Sequence, residues 1–565
     1  MSEWAYADIW EEIAAVVPHR PALIQGDRVV SWGDFDARAN ALSAFLLEAG
    51  LGHQSKIAAF LYNSPEYLES YYAAFKAGLA PVNTNYRYGD EELTYLFGNA
   101  DAEAVVFHAT FAPVVDKIRE RLPKVKAWLA VPLPGHPAPD WATDYQAVAS
   151  AGAPRTVAAW GRSGDDLLFM YTGGTTGMPK GVMWRQEDLF KVSGGGGNLI
   201  ENLPPLKTPA EAGQRALAVE RGEMPGPRLM IAASPLMHAT AQFNSLGVLT
   251  VGGSVAVLPS QRFSAAELWS EVDRLGATFI SIAGQAFAAP MLDALEAEPG
   301  RWSLASLRRI GSSGTVWSRE NKQGLLKHLP APCVLFDSLG SSEALAIGNS
   351  QSVAGAAAET ARFMVGPNTA AFTEDGRRIG PGSGERGLLA LAGFLPMGYY
   401  KDPEKSARTF REFEGRRWSV PGDFVTVEAD GTLKLLGRGS QVINTGGEKV
   451  FPEEVEEALK RHPAVRDAVV VGVPDPRFGE RICAIVELRP AAPAPTLAEL
   501  AAHVHEHLAD YKAPRELVLA PAARSPNGKV DYKAAKAMAM EALKLSGGTA
   551  TVGATHTPMQ VTGTT

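Results

Sequence analysis

Between Phe35 and His108 the chain alternates without interruption between helical and strand periods, and that alternation narrows the folds open to it. Phe35, Ala39, Leu42, Leu46 and Ala49 share one helix face that stops at Gly50. "KIAAFL" reads as a buried strand, and "SPEYLESYYAAFKAG" as a helix opened by Pro65 and closed by Gly78. "APVN", "DEELTYLFGNAD" and "AEAVVFH" continue as strand, helix, strand. A crossover helix returns the chain to the same end of a sheet, so strands joined this way pair in parallel. The expectation is α/β, with parallel-rich sheets covered by helices.

A chain of 565 residues exceeds what one hydrophobic core can fill. Near "EDGRRIGPGSGERGLLAL" (residues 374–391) the texture changes to short strands and tight turns, read here as a distorted barrel completing a large N-terminal domain, residues 1–438. Residues 439–545 form a compact unit. In it, "FPEEVEEALKRHP" is a helix, "RDAVVVGV" and "RICAIVEL" are strands, and Thr496 with Glu499 makes a capping box. This is a small α+β C-terminal domain. Residues 546–565 are Gly/Thr-rich without apolar period and are expected to be a disordered tail.

Composition excludes several classes of partner. The net charge of −8 leaves no basic face for nucleic acid. Two cysteines, Cys333 and Cys483, support neither a disulfide scaffold nor a cysteine metal site. The acidic start "MSEWAYADIWEEI" lacks the features of a secretory signal, which points to a cytoplasmic protein. Residues 229–261 carry no Asp, Glu, Lys or Arg but are broken by Pro235, Gly247, Gly252 and Gly253. They read as buried strand–loop–helix rather than a membrane span.

Chemistry first surfaces at "YTGGTTGMPKGV", directly after the apolar "LLFM". Backbone amides of Gly173, Gly174 and Gly177, the hydroxyls of Thr172, Thr175 and Thr176, and the ammonium of Lys180 are donors suited to cradling phosphate oxygens. The competing reading is a mobile surface loop. It is not a Walker A loop, because Gly177 and Lys180 are separated where that motif needs Gly-Lys-Ser/Thr in succession. "GSGERG" at residues 382–387 is followed by a strand pattern rather than a helix, and is read as a turn.

The twelve-residue run as a whole resembles the phosphate-binding signature of the adenylate-forming superfamily, which includes acyl-CoA synthetases, aryl-CoA ligases, firefly-type luciferases and nonribosomal adenylation domains. Further signatures of that superfamily follow in order: "SPLMH", "RRIGSSGT", "DSLGSSE", "VPGDF", "GRGSQVINTGGEKV" and "RSPNGKVD". The resemblance implies that His238 closes one side of an acyl pocket and that Ser313 and Gly314 lie against adenine and acyl group. It puts Asp337, Ser338 and Gly340 near the adenine, Ser342 on phosphate, and Glu343 with Thr175 on Mg²⁺. Asp423 would bind the ribose and Arg438 the nucleotide. Lys529 would be the catalytic lysine, and Gly446 and Gly447 would line a pantetheine tunnel. The small domain would be mobile, pivoting at Ser440 beside Gly439. Two positions depart from the pattern: Leu339 stands where an aromatic residue is usual, and Ser440 where Asp or Lys is usual.

The implied reaction joins a carboxylic acid to ATP as acyl-AMP with release of pyrophosphate, then passes the acyl group to coenzyme A. "NTNYRY", "GVMWRQEDLF", "INTGGEKVFPEEVE" and an extra segment at residues 202–228 resemble bacterial fatty-acyl-CoA synthetases, especially those acting on sterol side-chain acids. The pocket candidates Met237, His238, Ser312, Ser313, Gly314 and Thr315 offer no cation, so an apolar medium-chain, long-chain or alicyclic acid is expected. Alternatives are a ligase loading another acceptor, or a non-catalytic nucleotide-binding scaffold, which would be expected to lose Lys529 or Glu343. Family members are often dimers, and a homodimer stays open.

Overall fold

The computed structural model describes residues 4–172, 178–197, 203–225, 228–315, 317–445, 448–475, 479–524 and 529–544. Gly173, Gly174, Thr175, Thr176, Gly177, Gly446, Gly447 and the tail lie outside the described residues. Among the described residues the strands form three sheets, of eight, fifteen and five strands.

The eight-stranded sheet contains the alternating segment. Lys56–Phe60 is flanked by Ala80–Asn83 and Ala102–His108, all parallel. Leu167–Thr172 joins Ala80–Asn83 in parallel, and Lys180–Arg185 pairs antiparallel with Leu167–Thr172. Thr172 and Lys180 are register partners across that pair. The glycine-rich run thus links two adjacent strands rather than a strand and a helix.

In the fifteen-stranded sheet, Pro21–Gln25, Ser254–Val257, Leu229–Ala232, Phe279–Ile282, Arg309–Ser313 and Val334–Ser341 are neighbours in that order and parallel throughout. Ala344–Ser352 then turns back antiparallel. Beyond it the sheet continues antiparallel through Arg362–Val365, Leu433–Arg438, Asp423–Val427 and Arg386–Ala392, around a separate core of residues such as Leu389, Val425 and Leu433. This is the short-strand region expected from the sequence.

The helix Pro65–Lys76 packs against Lys56–Phe60 and Ala80–Asn83 of one sheet and Pro21–Gln25 of the other, and is buried along its whole length. Burial there includes charges, each with a partner: Glu69 with Arg38 at 2.8 Å, and Lys76 with Glu11 at 2.5 Å and Asp36 at 2.7 Å. Removing one member of such a pair would strand a buried charge, which typically costs about 3–5 kcal/mol. The helix Ala239–Thr250 packs on Leu229–Ala232, Ser254–Val257 and Phe279–Ile282.

The five-stranded sheet belongs to the small α+β domain, whose longest strands are Val465–Asp475 and Gly479–Leu488. Thr496 and Glu499 cap the helix Leu497–His505 reciprocally, as the sequence indicated. Leu433–Arg438 ends the large sheet, and a 3-10 turn at Gly439–Gln441 leads into the small domain. Gly437 has φ +127°, and a Cβ there would stand 2.0 Å from the carboxylate of Glu453. A side chain there would have to displace that carboxylate and would sit in strained backbone, which favours glycine at this point. No described helix is long and apolar enough to cross a membrane.

Candidate active site

Two asparagines, Asn83 buried and Asn63 half-buried, fix one wall of a cavity of about 580 Å³. Asn83, at the end of its strand, donates to the carbonyls of Tyr171 (2.9 Å) and Met237 (2.7 Å) and accepts from the Tyr171 amide. Asn63 donates to Ala232 and Ser234 and accepts from the Leu236 amide. Together they tie "SPLMH" to both parallel sheets and set His238 at the start of the helix Ala239–Thr250. The imidazole lines the cavity, and its Nε2 is buried with no hydrogen-bond partner among the described residues. Burial first, then the nearby charges of Lys529 and Arg87, push its pKa down to about 3. His238 is therefore neutral at working pH, a shape-giving wall of the cavity.

Lys529 reaches this cavity from the small domain. Opposite it, Gly314 has φ +87°, and a Cβ there would lie 3.9 Å from Lys529 Cε and 3.8 Å from Thr240 Oγ1. The root of the lysine is anchored by a half-buried pair, Arg524 Nε to Asp467 at 2.6 Å, and by the bridge between Arg524 and Val530. His238, Ser313, Gly314 and Lys529 thus meet around one cavity although they span nearly 300 positions of sequence.

A second group of charges lies beside the turn carrying Ser342 and Glu343, between the strands Val334–Ser341 and Ala344–Ser352. Tyr399 Oη donates to Glu343 at 2.8 Å, and Trp184 Nε1 donates to the Ser342 carbonyl at 2.9 Å. Lys180 binds Asp402 at 2.8 Å, and Lys405 sits over the Tyr399 ring at 5.0 Å. Burial, then the charge of Lys180, lower the pKa of Lys405, while Glu343 and Asp402 oppose that shift. A hard carboxylate oriented by one hydroxyl, beside two ammonium groups, suits a Mg²⁺ that keeps most of its shell for water and phosphate. Tyr399 and Lys405 carried no motif in the sequence; only the pairing of Gly398–Tyr399 with Lys180–Arg185 brings them here.

Alternation along Val334–Ser341 sorts the remaining expectations. Phe336, Ser338 and Gly340 line the cavity. Asp337 points the other way, buried at 4% exposure in an ion pair with Lys322 at 2.9 Å, so its carboxylate is committed to the core and does not join the site. Leu339 packs with Ile347 and Leu389 in the barrel core, which accounts for the loss of an aromatic residue there. Asp423 and Arg438 are cross-strand partners next to the interdomain turn, and Asp423 is not among the residues lining this cavity.

The sequence reading is wrong about cations. Arg228 and Arg309 both line the cavity, with Asn244, Asn349 and Gln351 nearby on its wall. Arg309 belongs to "RRIGSSGT", a motif whose resemblance points to its serines and glycine and not to its arginines. Only the inward parity it shares with Gly311 and Ser313 exposes its role.

The chain matches the AMP-binding enzyme family over residues 10–400 and the AMP-binding enzyme C-terminal domain over residues 454–529. It is 38% identical over 546 residues to a medium/long-chain-fatty-acid–CoA/3-oxocholest-4-en-26-oate–CoA ligase of Mycolicibacterium smegmatis, covering 94% of this chain and 95% of the relative. Identity is 39% over 549 residues to the 3-oxocholest-4-en-26-oate–CoA ligase of Rhodococcus rhodochrous, with the same coverage. The fold superposes on the anthranilate CoA ligase AuaEII in complex with anthranoyl-AMP with a TM-score of 0.81, at 22% identity, over 96% of this chain and 99% of that one. The ordered motifs, the two-domain fold and these matches agree: the chain belongs to the AMP-binding enzyme family.

Proposed function

We propose that the cavity holds an apolar carboxylic acid with its carboxylate between Lys529 and Gly314, and that Lys529 drives its adenylation. The chain is an AMP-forming acyl-CoA synthetase, an acid–thiol ligase whose other substrates are ATP and coenzyme A. The observation that carries the proposal is a small-domain lysine standing over Gly314, beside a neutral His238, in a cavity of mixed polar and apolar lining.

A carboxylate must attack an α-phosphorus that is itself surrounded by negative oxygens, so both reactants need neutralising. The ammonium of Lys529 serves both at once. As the carboxylate oxygen bonds to phosphorus, pyrophosphate departs and acyl-AMP remains. Glu343, oriented by Tyr399, would hold Mg²⁺, which when bound offsets charge on the phosphate oxygens. Lys180 and Lys405 are positioned to meet the outer phosphates. Neutral His238 adds no competing charge and takes no proton. In the second half the thiolate of coenzyme A attacks the acyl carbon, and the bond to AMP breaks.

That half needs other groups, which supports a rotating small domain. The turn Gly439–Gln441 is the natural boundary between units 1–438 and 439–545, with Ser440 as pivot. Ser440→Pro fixes φ at the pivot. The variant is expected to slow thioester formation about tenfold or more, equivalent to 1.4 kcal/mol of barrier, and to spare pyrophosphate release. Equal effects on both halves would reject the pivot. Two buried thiols, Cys333 and Cys483, pushed up to about 12 by burial, fit a reducing cytoplasmic setting.

The substrate class we infer is a medium-chain, long-chain or sterol side-chain acid. The test is pyrophosphate release with ATP and Mg²⁺ over a panel of acids, with and without coenzyme A. Release dependent on one such class, with its acyl-CoA seen by mass spectrometry, is the expected result. Release without a thioester would indicate another acceptor, and no release with any acid would indicate a scaffold.

A further inference from the structure

Away from the reaction cavity, the helix Leu497–His505 of the small domain carries a spacing with chemistry of its own. "AAHVHEHL" places histidine at 503, 505 and 507, with Glu506 between the last two. Residues three and four apart on a helix stand on one face, and two histidines four apart are a spacing that helical zinc sites use. His503, Glu506 and His507 therefore share a face. His505 falls on another, where its Nδ1 meets Asp510 at 3.0 Å. The helical turn carries on past His505, because the amides of Glu506 and Leu508 bond the carbonyls of Ala502 (3.2 Å) and Val504 (2.8 Å).

Among the described residues, these three side chains are the one such group whose ligand atoms converge, all within 4.8 Å of one another. His503 is the inner member, its side chain only 16% exposed. Its ring stands nearly at right angles to two others, 5.3 Å from that of His462 and 5.2 Å from that of His507. Its Nδ1 lies 3.7 Å from Glu506 Oε2, too far for a hydrogen bond. Its buried Nε2 has no hydrogen-bond partner among the described residues. His462 is accounted for differently. Its Nδ1 accepts from the Ala464 amide at 3.2 Å, which puts its proton on Nε2 and leaves no lone pair for a cation.

Ligands about 2.0–2.1 Å from a tetrahedral zinc lie about 3.3 Å from one another. The separation of Nδ1 and Oε2 is already close to that, and Glu506 and His507 are exposed, so rotating them to close the set costs little packing. Open carbonyls at the end of a helix add partial negative charge there, which favours a cation.

We propose that His503, Glu506 and His507 bind one divalent transition-metal ion, zinc by the chemistry of the set, with water in the fourth position. Two imidazoles and a carboxylate suit zinc, whereas Mg²⁺ and Ca²⁺ prefer oxygen ligands throughout. The ion ties down the last turn of this helix. With it goes the passage to Lys512, which pairs with Glu454 of the neighbouring helix Pro452–Lys460 at 2.6 Å. The site is a clamp within the small domain. It does not depend on the ligase reading, since none of its ligands lines the reaction cavity.

The test is calorimetric titration of the chelator-stripped full chain with Zn²⁺, in excess Mg²⁺ to fill oxygen-only sites. One zinc per chain is expected. His503→Gln and His507→Gln are each expected to weaken it about tenfold or more, since loss of an outer-shell partner alone costs about 10–100-fold. His462→Gln should leave the affinity unchanged. Zinc should also raise the unfolding temperature of the native chain and not that of His507→Gln. His507 is exposed, so its substitution spares the fold, and circular dichroism without zinc checks this. Zinc binding unchanged in His507→Gln, an equal loss in His462→Gln, or binding only at millimolar zinc overturns the proposal.

Discussion

On the large-domain side of the reaction cleft, the described elements around the cavity are tied down. Asn63 and Asn83 clamp "SPLMH" between two sheets, Gly314 is fixed at φ +87°, and Thr240 stands on a buried helix. On the small-domain side, the Arg524–Asp467 pair stands at the root of Lys529, in a domain joined through a short turn. One wall is a mould and the other is a tool brought to it. A single site that must serve two half-reactions benefits from that division, because the mould keeps the acyl group registered while the tool is exchanged.

The harshest way to break the contrast is to remove the tool. Lys529→Ala is expected to lower acid-dependent pyrophosphate release by about 10²–10³-fold, by analogy with the loss of one donor to a developing oxyanion. Thioester formation from supplied acyl-AMP should remain within a few-fold. Stopped-flow measurement of each half separately checks this. An equal loss in both halves would mean that Lys529 supports the fold of the cleft instead of the first step.

A milder way is to distort the mould. Gly314→Ala places an L side chain in left-handed backbone, which costs about 1–2 kcal/mol. Its Cβ would meet Lys529 and Thr240 only at ordinary contact distance, so strain and not collision is the damage. The rate of adenylation should fall, and the fall should be much smaller in a Lys529→Ala background, because the two residues act across one gap. Additive losses in the double variant would show that the two walls do not work as a pair.

Legibility in the sequence followed the same division. Strands such as Ala80–Asn83 and Ala102–His108 coincide with their apolar runs, because burial on both faces leaves a continuous signal. The gathering of His238, Gly314 and Lys529 was readable from ordered motifs alone. What could not be read depends on pairings between distant strands. Tyr399 and Lys405 become site residues only through a two-residue strand against Lys180–Arg185. Asp337 looked functional within its motif, yet strand parity turns it into the core, where Lys322 neutralises it. Arg309 is the opposite case, a residue without a motif role whose strand position places it on the cavity.

The smallest expected effect concerns the histidine built into the mould. Burial holds the His238 pKa near 3, whereas an unfolded chain gives histidine about 6.5. Below pH 6.5 the unfolded chain takes up a proton at this position and the folded one does not, so unfolding is favoured increasingly as pH falls toward 3. Above about pH 7 neither state is protonated there and the effect vanishes. By pH 5 the loss is on the order of 1–2 kcal/mol, since each unit of separation is worth about 1.4 kcal/mol. Buried carboxylates and His108 contribute to the same acid limb, so the informative quantity is the difference between the native protein and His238→Asn. Denaturation midpoints of the two should differ by a constant above neutrality, with the native protein losing ground to the variant from pH 6.5 downward. A difference that stays flat to pH 4 would mean that the imidazole titrates normally when folded. The wall beside Lys529 would then be wet and yielding, and the contrast between mould and tool would fail at the residue where it is drawn most sharply.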